Sequence, residues 1–333
     1  MICRRYFNRA VVASALALPG VARSESSVLR LGTMRLNSAA PFFVASDKGF
    51  FEDEGLKVQI EYFDAAAQLP VAAVANSIDV GMTAFTAAYF NLAAKGGLKL
   101  ICGDSRPHPA FPNNQLVASR NGYDAGLRSF ADIRGRRLGI TTIGSSFHYQ
   151  FGVIAMKFAF PLSQVELLPL QTLPNVGSAV VAGKLDGAIL PSTVADPLIR
   201  AGSGVFIGNT AEVDMTQGSG VFTRPDVIAA NRAGIERFIR AHRRAMAFSN
   251  RAVNRIDEQG RPVTSDEREE LLEIVARRTG QTRQQISSTF GYYDPAASLN
   301  VEDVRKVLRF WQDLGLVKRE VDAEHVVDLS FAT

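Results

Sequence analysis

Strand-like and helix-like stretches alternate through the first two thirds of this 333-residue chain, and that alternation restricts the fold more than any other feature. Residues 28–32 are a short apolar run of β type, and the segment opening at Pro41 is helical to about Gly49. Residues 56–63, LKVQIEYF, alternate apolar and polar as a half-buried strand does. A helical stretch over 65–75, a strand at 78–82, a helix over 83–94 and a strand at 98–102 complete a βαβαβ pattern. The theme returns with a strand at 138–141, a helix after Gly144, a strand at 165–169 and a helix over 175–182. A strand at 187–190, a helix near Pro191 and a strand at 205–207 close it. Such alternation predicts mostly parallel sheets with helices on both faces. The last third differs: residues 226–279 are helical and rich in arginine, and a helix over 301–314 carries Trp311 as a core residue.

The first residues stand apart from this pattern. Arg4, Arg5 and Arg9 precede an apolar run over 10–18, and Ala22-Arg23-Ser24 fits a cleavage site before Glu25. The arrangement is that of a secretory signal over 1–24, with an apolar run too short to span a bilayer. Its Arg-Arg-Tyr-Phe opening fits the twin-arginine export route. Export bears on charge. The full chain is +4, and the four arginines of 1–24, with no acidic residue there, account for all of it. The expected mature protein is near neutral, which gives no electrostatic footprint for nucleic acid. Cys3 leaves with the signal, and the remaining Cys102 sits in an apolar run and reads as a small core residue. No later segment is long and apolar enough to cross a membrane, so a soluble periplasmic protein is expected.

No catalytic constellation is visible. The four histidines lack metal-ligand spacing. Nucleophile-elbow, phosphate-loop and dinucleotide motifs are missing. Neither a metal nor a cofactor is expected. The arginines at 232, 237, 240, 243, 244 and 251 form either a partner-docking surface or a solvated face balanced by Asp257, Asp266, Glu267, Glu269 and Glu270.

Four stretches together resemble one known family. Residues 41–58, PFFVASDKGFFEDEGLKV, are similar to the opening of periplasmic substrate-binding proteins of ABC importers. These are the alkanesulfonate-, taurine- and nitrate-binding type, with relatives that bind pyrimidine precursors of thiamine. Residues 75–81, ANSIDVG, resemble a second motif, with Asn76 where glycine is usual. Residues 129–140, SFADIRGRRLGI, and 182–188, AGKLDGA, resemble a third and a fourth. The resemblance implies an α/β, two-lobed periplasmic-binding-protein-like fold of type II with two hinge crossings, each lobe a mostly parallel sheet flanked by helices. Residues 25–115 with 220–333 would form the first lobe and 116–219 the second, with crossings near 116–118 and 220–222.

Ligands of open α/β sheets lie at the carboxyl ends of the strands. That rule selects Leu36, Asn37, Asp64, Thr83, Ala84 and Phe85 in the first lobe, and Gly144, Ser145, Ser146, Phe147, Ser192 and Thr193 in the second. Helix starts near Thr83–Thr86 and Gly144–Phe147 offer free N–H groups and a partial positive charge to an anion. Alternatively Ser145 or Ser146 only caps its own helix. Phe42, Phe85, Phe147, His148 and Tyr149 either hold a flat ligand or pack in the core. Asp64 either meets an amino or ring N–H group or caps the following helix. The resemblance implies a monomer without chemistry that delivers a sulfonate, aromatic carboxylate or pyrimidine-like molecule to an inner-membrane permease with its ATPase. Two alternatives stand beside it. One is a pyrimidine-precursor-synthesising enzyme of the same fold, whose cysteine-rich iron site this chain, with two cysteines, does not match. The other is a ligand-sensing protein.

Overall fold

The computed structural model describes residues 28–111, 113–259, 263–286 and 290–331; the expected signal segment and Cys3 lie outside them. Among the described residues, ten strands form two five-stranded sheets. The first contains β1 (Leu29–Met34), β2 (Val58–Phe63), β3 (Val80–Ala84), β4 (Lys99–Gly103) and β10 (Ser219–Thr223), in the order β2-β1-β3-β10-β4. The second contains β5 (Asn114–Ser119), β6 (Arg137–Ile140), β7 (Glu166–Pro169), β8 (Gly187–Pro191) and β9 (Gly204–Asn209), in the order β7-β6-β8-β5-β9. Each sheet defines one lobe, and the two orders are the same pattern built twice.

Both sheets are parallel except at one strand. β10 runs antiparallel to β3 and β4, and β5 antiparallel to β8 and β9. The cause lies in the connection. The chain passes between lobes at the carboxyl ends of the parallel strands, so each entering strand starts at that end and runs back. The crossings lie between β4 and β5 and between β9 and β10. The expected crossings at 116–118 and 220–222 fall inside β5 and β10, where those residues pair on both sides. They are corrected to the loops just before.

Helices bury both faces of each sheet, which is why central strands such as β8, Gly187–Pro191, are buried throughout. Edge strand β2 instead keeps polar Gln59 and Glu61. On one face of the first sheet, helices Ala40–Asp47, Pro225–Val253 and Asp266–Thr279 enclose a core that includes Leu31, Met82, Phe238 and Cys102. On the other, helices Gln68–Val74, Ala87–Ala93 and Val301–Asp313 enclose Phe90, Phe222 and Trp311. In the second lobe the helix Ser146–Lys157 covers one face, and Leu173–Val181 with Ser192–Arg200 covers the other.

The arginines of the long helix are tied locally. Arg232 pairs with Glu236, Arg240 with Glu54, Arg244 with Asp53 and Arg251 with Glu267. Of the acids expected to balance this surface only Glu267 meets one of these four arginines; Glu236 lies on the same helix, and Glu54 and Asp53 come from an element distant in sequence.

Candidate functional site

Three helix starts face the gap between the lobes, each fixed by a side-chain cap. Thr86 accepts from the Tyr89 amide, Ser145 from His148 and Thr172 from Asn175. Such caps contribute about 1 kcal/mol each. With the Ser145 hydroxyl occupied by His148, the amides of Ser146 and Phe147 have no acceptor within their helix.

Gly144 turns the chain into this helix with φ +83°, the left-handed region. Its amide donates to His148 Nδ1 at 3.0 Å. That bond needs a neutral ring with Nδ1 unprotonated, and burial pushes the His148 imidazole down to about 4. The Gly144 carbonyl accepts from the Ala87 amide, across the gap, at 2.9 Å. Both backbone groups of Gly144 thus bind protein. The lobes also meet where Gln281 donates to the Thr193 carbonyl at 3.2 Å, and where Phe310 packs against Gly152. His148 and Tyr149 approach Trp311 and Phe310 edge-on in the same contact.

Between these contacts lies a cavity at the carboxyl ends of both sheets. It encloses about 140 Å³ available to the centres of solvent molecules. One water needs roughly 10–15 Å³ of such space, so on the order of ten waters, or an organic molecule of similar size, fit. The sequence-selected Leu36, Thr83, Ala84, Ser145, Ser146 and Phe147 line it, and the Thr83 hydroxyl donates to the Ala66 carbonyl.

The other six selected residues lie outside its wall. Asn37 is buried, and its carbonyl accepts from the Tyr293 hydroxyl. Asp64 is exposed at the lobe edge, because its strand is the outermost of the sheet and its own amide is held by Gln68. Phe85 points into the core, its carbonyl held by the Trp311 indole. Gly144 stands behind the wall in the contact described above. Ser192 donates to the Asn113 carbonyl and anchors the first crossing, and Thr193 serves the contact with Gln281.

Sequence reasoning expected two crossings but selected none of their residues for the site, and the crossings form one side of the cavity. Ser105, Arg106, Pro107 and Asn113 come from the first, next to Asn114 at the start of β5, and Thr216 and Gly218 from the second, next to Ser219 at the start of β10. The signal was present: Pro107, Pro109, Pro112 and Asn113-Asn114 mark a loop in that stretch. Arg106 is the one charged residue among the described residues of the wall. Its guanidinium pairs with Asp294, while Nε is buried without a protein partner. The described wall holds no carboxylate, imidazole or thiol.

Two α/β sheets joined by two crossings, with a cavity between them, define the architecture of periplasmic binding proteins. Solved structures bear this out at the level of fold. The alkanesulfonate-binding protein SsuA from Xanthomonas axonopodis pv. citri superposes with a TM-score of 0.73 at 19% identity, covering 90% of this chain and 97% of that one. The nitrate-binding protein NrtA from Synechocystis PCC 6803 gives 0.73 at 13% identity, covering 92% and 87%. The family model described as NMT1/THI5 like matches residues 37–251, and this chain belongs to that family. Among curated relatives, the riboflavin-binding protein RibY of Chloroflexus aurantiacus is 26% identical over 62% of this chain and 58% of its own length. The 4-amino-5-hydroxymethyl-2-methylpyrimidine phosphate synthase of Schizosaccharomyces pombe is 26% identical over 45% of this chain and 40% of its own. The match thus spans about half the length of these relatives.

Proposed function

We propose that this chain is the exported substrate-binding protein of an ABC importer, a monomer that captures a small organic anion or heterocycle between its lobes. It works in the periplasm and passes the ligand to a permease and its ATPase. The observation that carries the reading is one cavity at the carboxyl ends of both sheets, walled by Thr83 and Ala84 from one lobe and by Ser145, Ser146 and Phe147 from the other, with the crossings between them. Closure of two lobes on a ligand shifts a population between open and closed forms, and a permease reads the closed one. The wall suits capture rather than conversion. Hydroxyls, amides and one arginine hold a ligand, while no described wall residue carries a general acid or base. Space for on the order of ten waters favours a sulfonate with an organic body, an aromatic carboxylate or a pyrimidine over bare nitrate.

The relative that is a pyrimidine phosphate synthase supports a second reading, a synthetic role for the same cleft. One experiment separates them. The protein from Glu25 onward is melted against alkanesulfonates, aromatic carboxylates, nitrate, pyrimidines and riboflavin. A ligand at a hundred times its Kd stabilises by about 2.7 kcal/mol, several degrees in a protein this size. Stabilisation with the compound recovered unchanged supports capture. Melting unaffected by every compound, or conversion of the one that binds, overturns it.

A further inference from the structure

A second, smaller chamber opens behind the main cavity, and the two share Pro107, Ser146, Gln150, Thr216 and Gly218 as common walls. It lies between the helix Ser146–Lys157, the second crossing and Val307 of the C-terminal region. Its volume is about 40 Å³ on the same measure, space for roughly three waters. A ring does not fit; a substituent of a few heavy atoms does.

The polar groups around this chamber are specific. Tyr149 is 5% exposed, and its hydroxyl lies close to Thr216 and Asp214 yet finds no hydrogen-bond partner in the protein. Gln150 Oε1 is also buried without a partner. Asp214 adds a carboxylate. Its Oδ1 accepts from Lys306 at 2.8 Å and from the Thr216 hydroxyl at 2.6 Å, so the charge is balanced and held in place. Phe85, Pro107, Ile154, Val213 and Val307 supply apolar walls. A hydroxyl, an amide oxygen and a carboxylate all accept hydrogen bonds. Buried polar groups are as a rule paired, and leaving them unmade is costly.

We propose that this inner chamber is a subsite for a small hydrogen-bond-donating substituent of the ligand, a primary amine or hydroxymethyl group, while the rest of the ligand stays in the main cavity. The inference rests on the reading of the main cavity as the ligand site. An anionic substituent would face the acceptors of Gln150 and Asp214 with Lys306 already held by Asp214 and Thr216, and a methyl group would leave Tyr149 and Gln150 unpaired. Ser146 borders both chambers. A ligand with its amine inward can therefore place an anionic or ring-acceptor end near the free amides of Ser146 and Phe147.

Isosteric pairs test this in both ligand classes. Taurine is compared with 1-propanesulfonate, and 4-amino-2-methylpyrimidine with 2,4-dimethylpyrimidine, by calorimetry on the mature protein. In at least one pair the amino member binds tenfold or more tighter. Tyr149→Phe, which keeps the ring packed on Phe310, and Gln150→Met each shrink that gap to under threefold, with melting temperatures checked in both. Equal binding within every pair that binds overturns the subsite and leaves the clamshell reading standing. So does a gap that survives both variants. If no member of either pair binds while another compound in the melting panel does, the subsite is again overturned alone. If nothing in the panel binds, both readings fall.

Discussion

The amide of Ala87, first residue of a helix in one lobe, donates to the carbonyl of Gly144 in the other at 2.9 Å. The position of one lobe is thereby read directly by the turn that launches the other lobe's cavity-facing helix. Gly144 in turn holds His148 through its amide, and His148 packs on Trp311 of the first lobe. Lobe position, turn geometry and the cavity wall form one connected set of contacts.

Gly144→Ala should loosen this set. A Cβ there would stand 2.8 Å from the Ala87 Cβ, in a backbone region where non-glycine residues cost about 1–3 kcal/mol. The expected outcome is a lower melting temperature and a larger radius of gyration by X-ray scattering. Adding Ala87→Gly should restore the radius and leave the backbone cost. An unchanged radius in Gly144→Ala would show that the contact does not govern lobe separation.

Gly152→Ala probes the second contact. The new methyl would lie 2.2 Å from the Phe310 ring, and overpacking of this kind costs about 1–3 kcal/mol. Denaturant melts should show that loss, and Phe310→Leu in the same chain should recover part of it. Additive losses in the double variant would argue against direct contact.

Ser146→Pro separates folding from ligand capture. Ser146 is the first helical residue, where proline is tolerated, and the preceding Ser145 has φ −76° and ψ 163°, the extended form that proline requires of its neighbour. The fold should melt within about 1 kcal/mol of wild type. Affinity for an anionic ligand should fall about tenfold, since a hydrogen bond to a charged group contributes about 1.5–3 kcal/mol. Ser146→Ala is the control for the hydroxyl. Equal affinity in Ser146→Pro and Ser146→Ala would remove the amide from the binding account.

Stability should depend on pH with opposing contributions. Burial holds His148 and His242 down to about 4, so each stabilises fully above the unfolded value near 6.5 and loses that contribution as pH falls toward 4. Asp104 is the reverse. Burial without a cation raises its carboxyl to about 7, so its contribution is present below about 3.8 and lost as pH rises toward 7. Between pH 4.5 and 6.5 the two histidines outweigh the one carboxyl, and stability should rise with pH. Asp104→Asn should steepen the rise by about one proton and His148→Gln should flatten it, as read from urea melts at three pH values. The same slope in all three proteins would contradict the assignment.

Much of the architecture is legible in the amino-acid sequence. Period-two and helical runs located most of the elements, because strands buried on both faces and helices with one apolar side leave distinct patterns. Strand direction leaves none. Residues 116–118 and 220–222 look like any buried apolar strand, and nothing in their sequence separates an antiparallel strand from a crossing. At the site, Thr83, Ser145 and Ser146 follow from the rule for strand ends. Arg106 and Thr216 do not, since they reach the cavity through the lobe connections. Asp64 was the carboxylate within view of the sequence, whereas Asp214 is the one beside the cavity, brought there by Lys306 ninety-two residues away. Such pairings belong to the tertiary structure and have no local signature.

The place of β10 between β3 and β4 also constrains how the polypeptide matures. During synthesis, β3 and β4 are made long before residue 219 leaves the ribosome, and each then presents a bare hydrogen-bonding edge to its surroundings. The intervening hundred residues can collapse into their own lobe while that gap persists. An interrupted sheet of this kind invites chaperone attention or mispairing until the last third arrives, so the slowest step in maturation should be insertion of that single central strand.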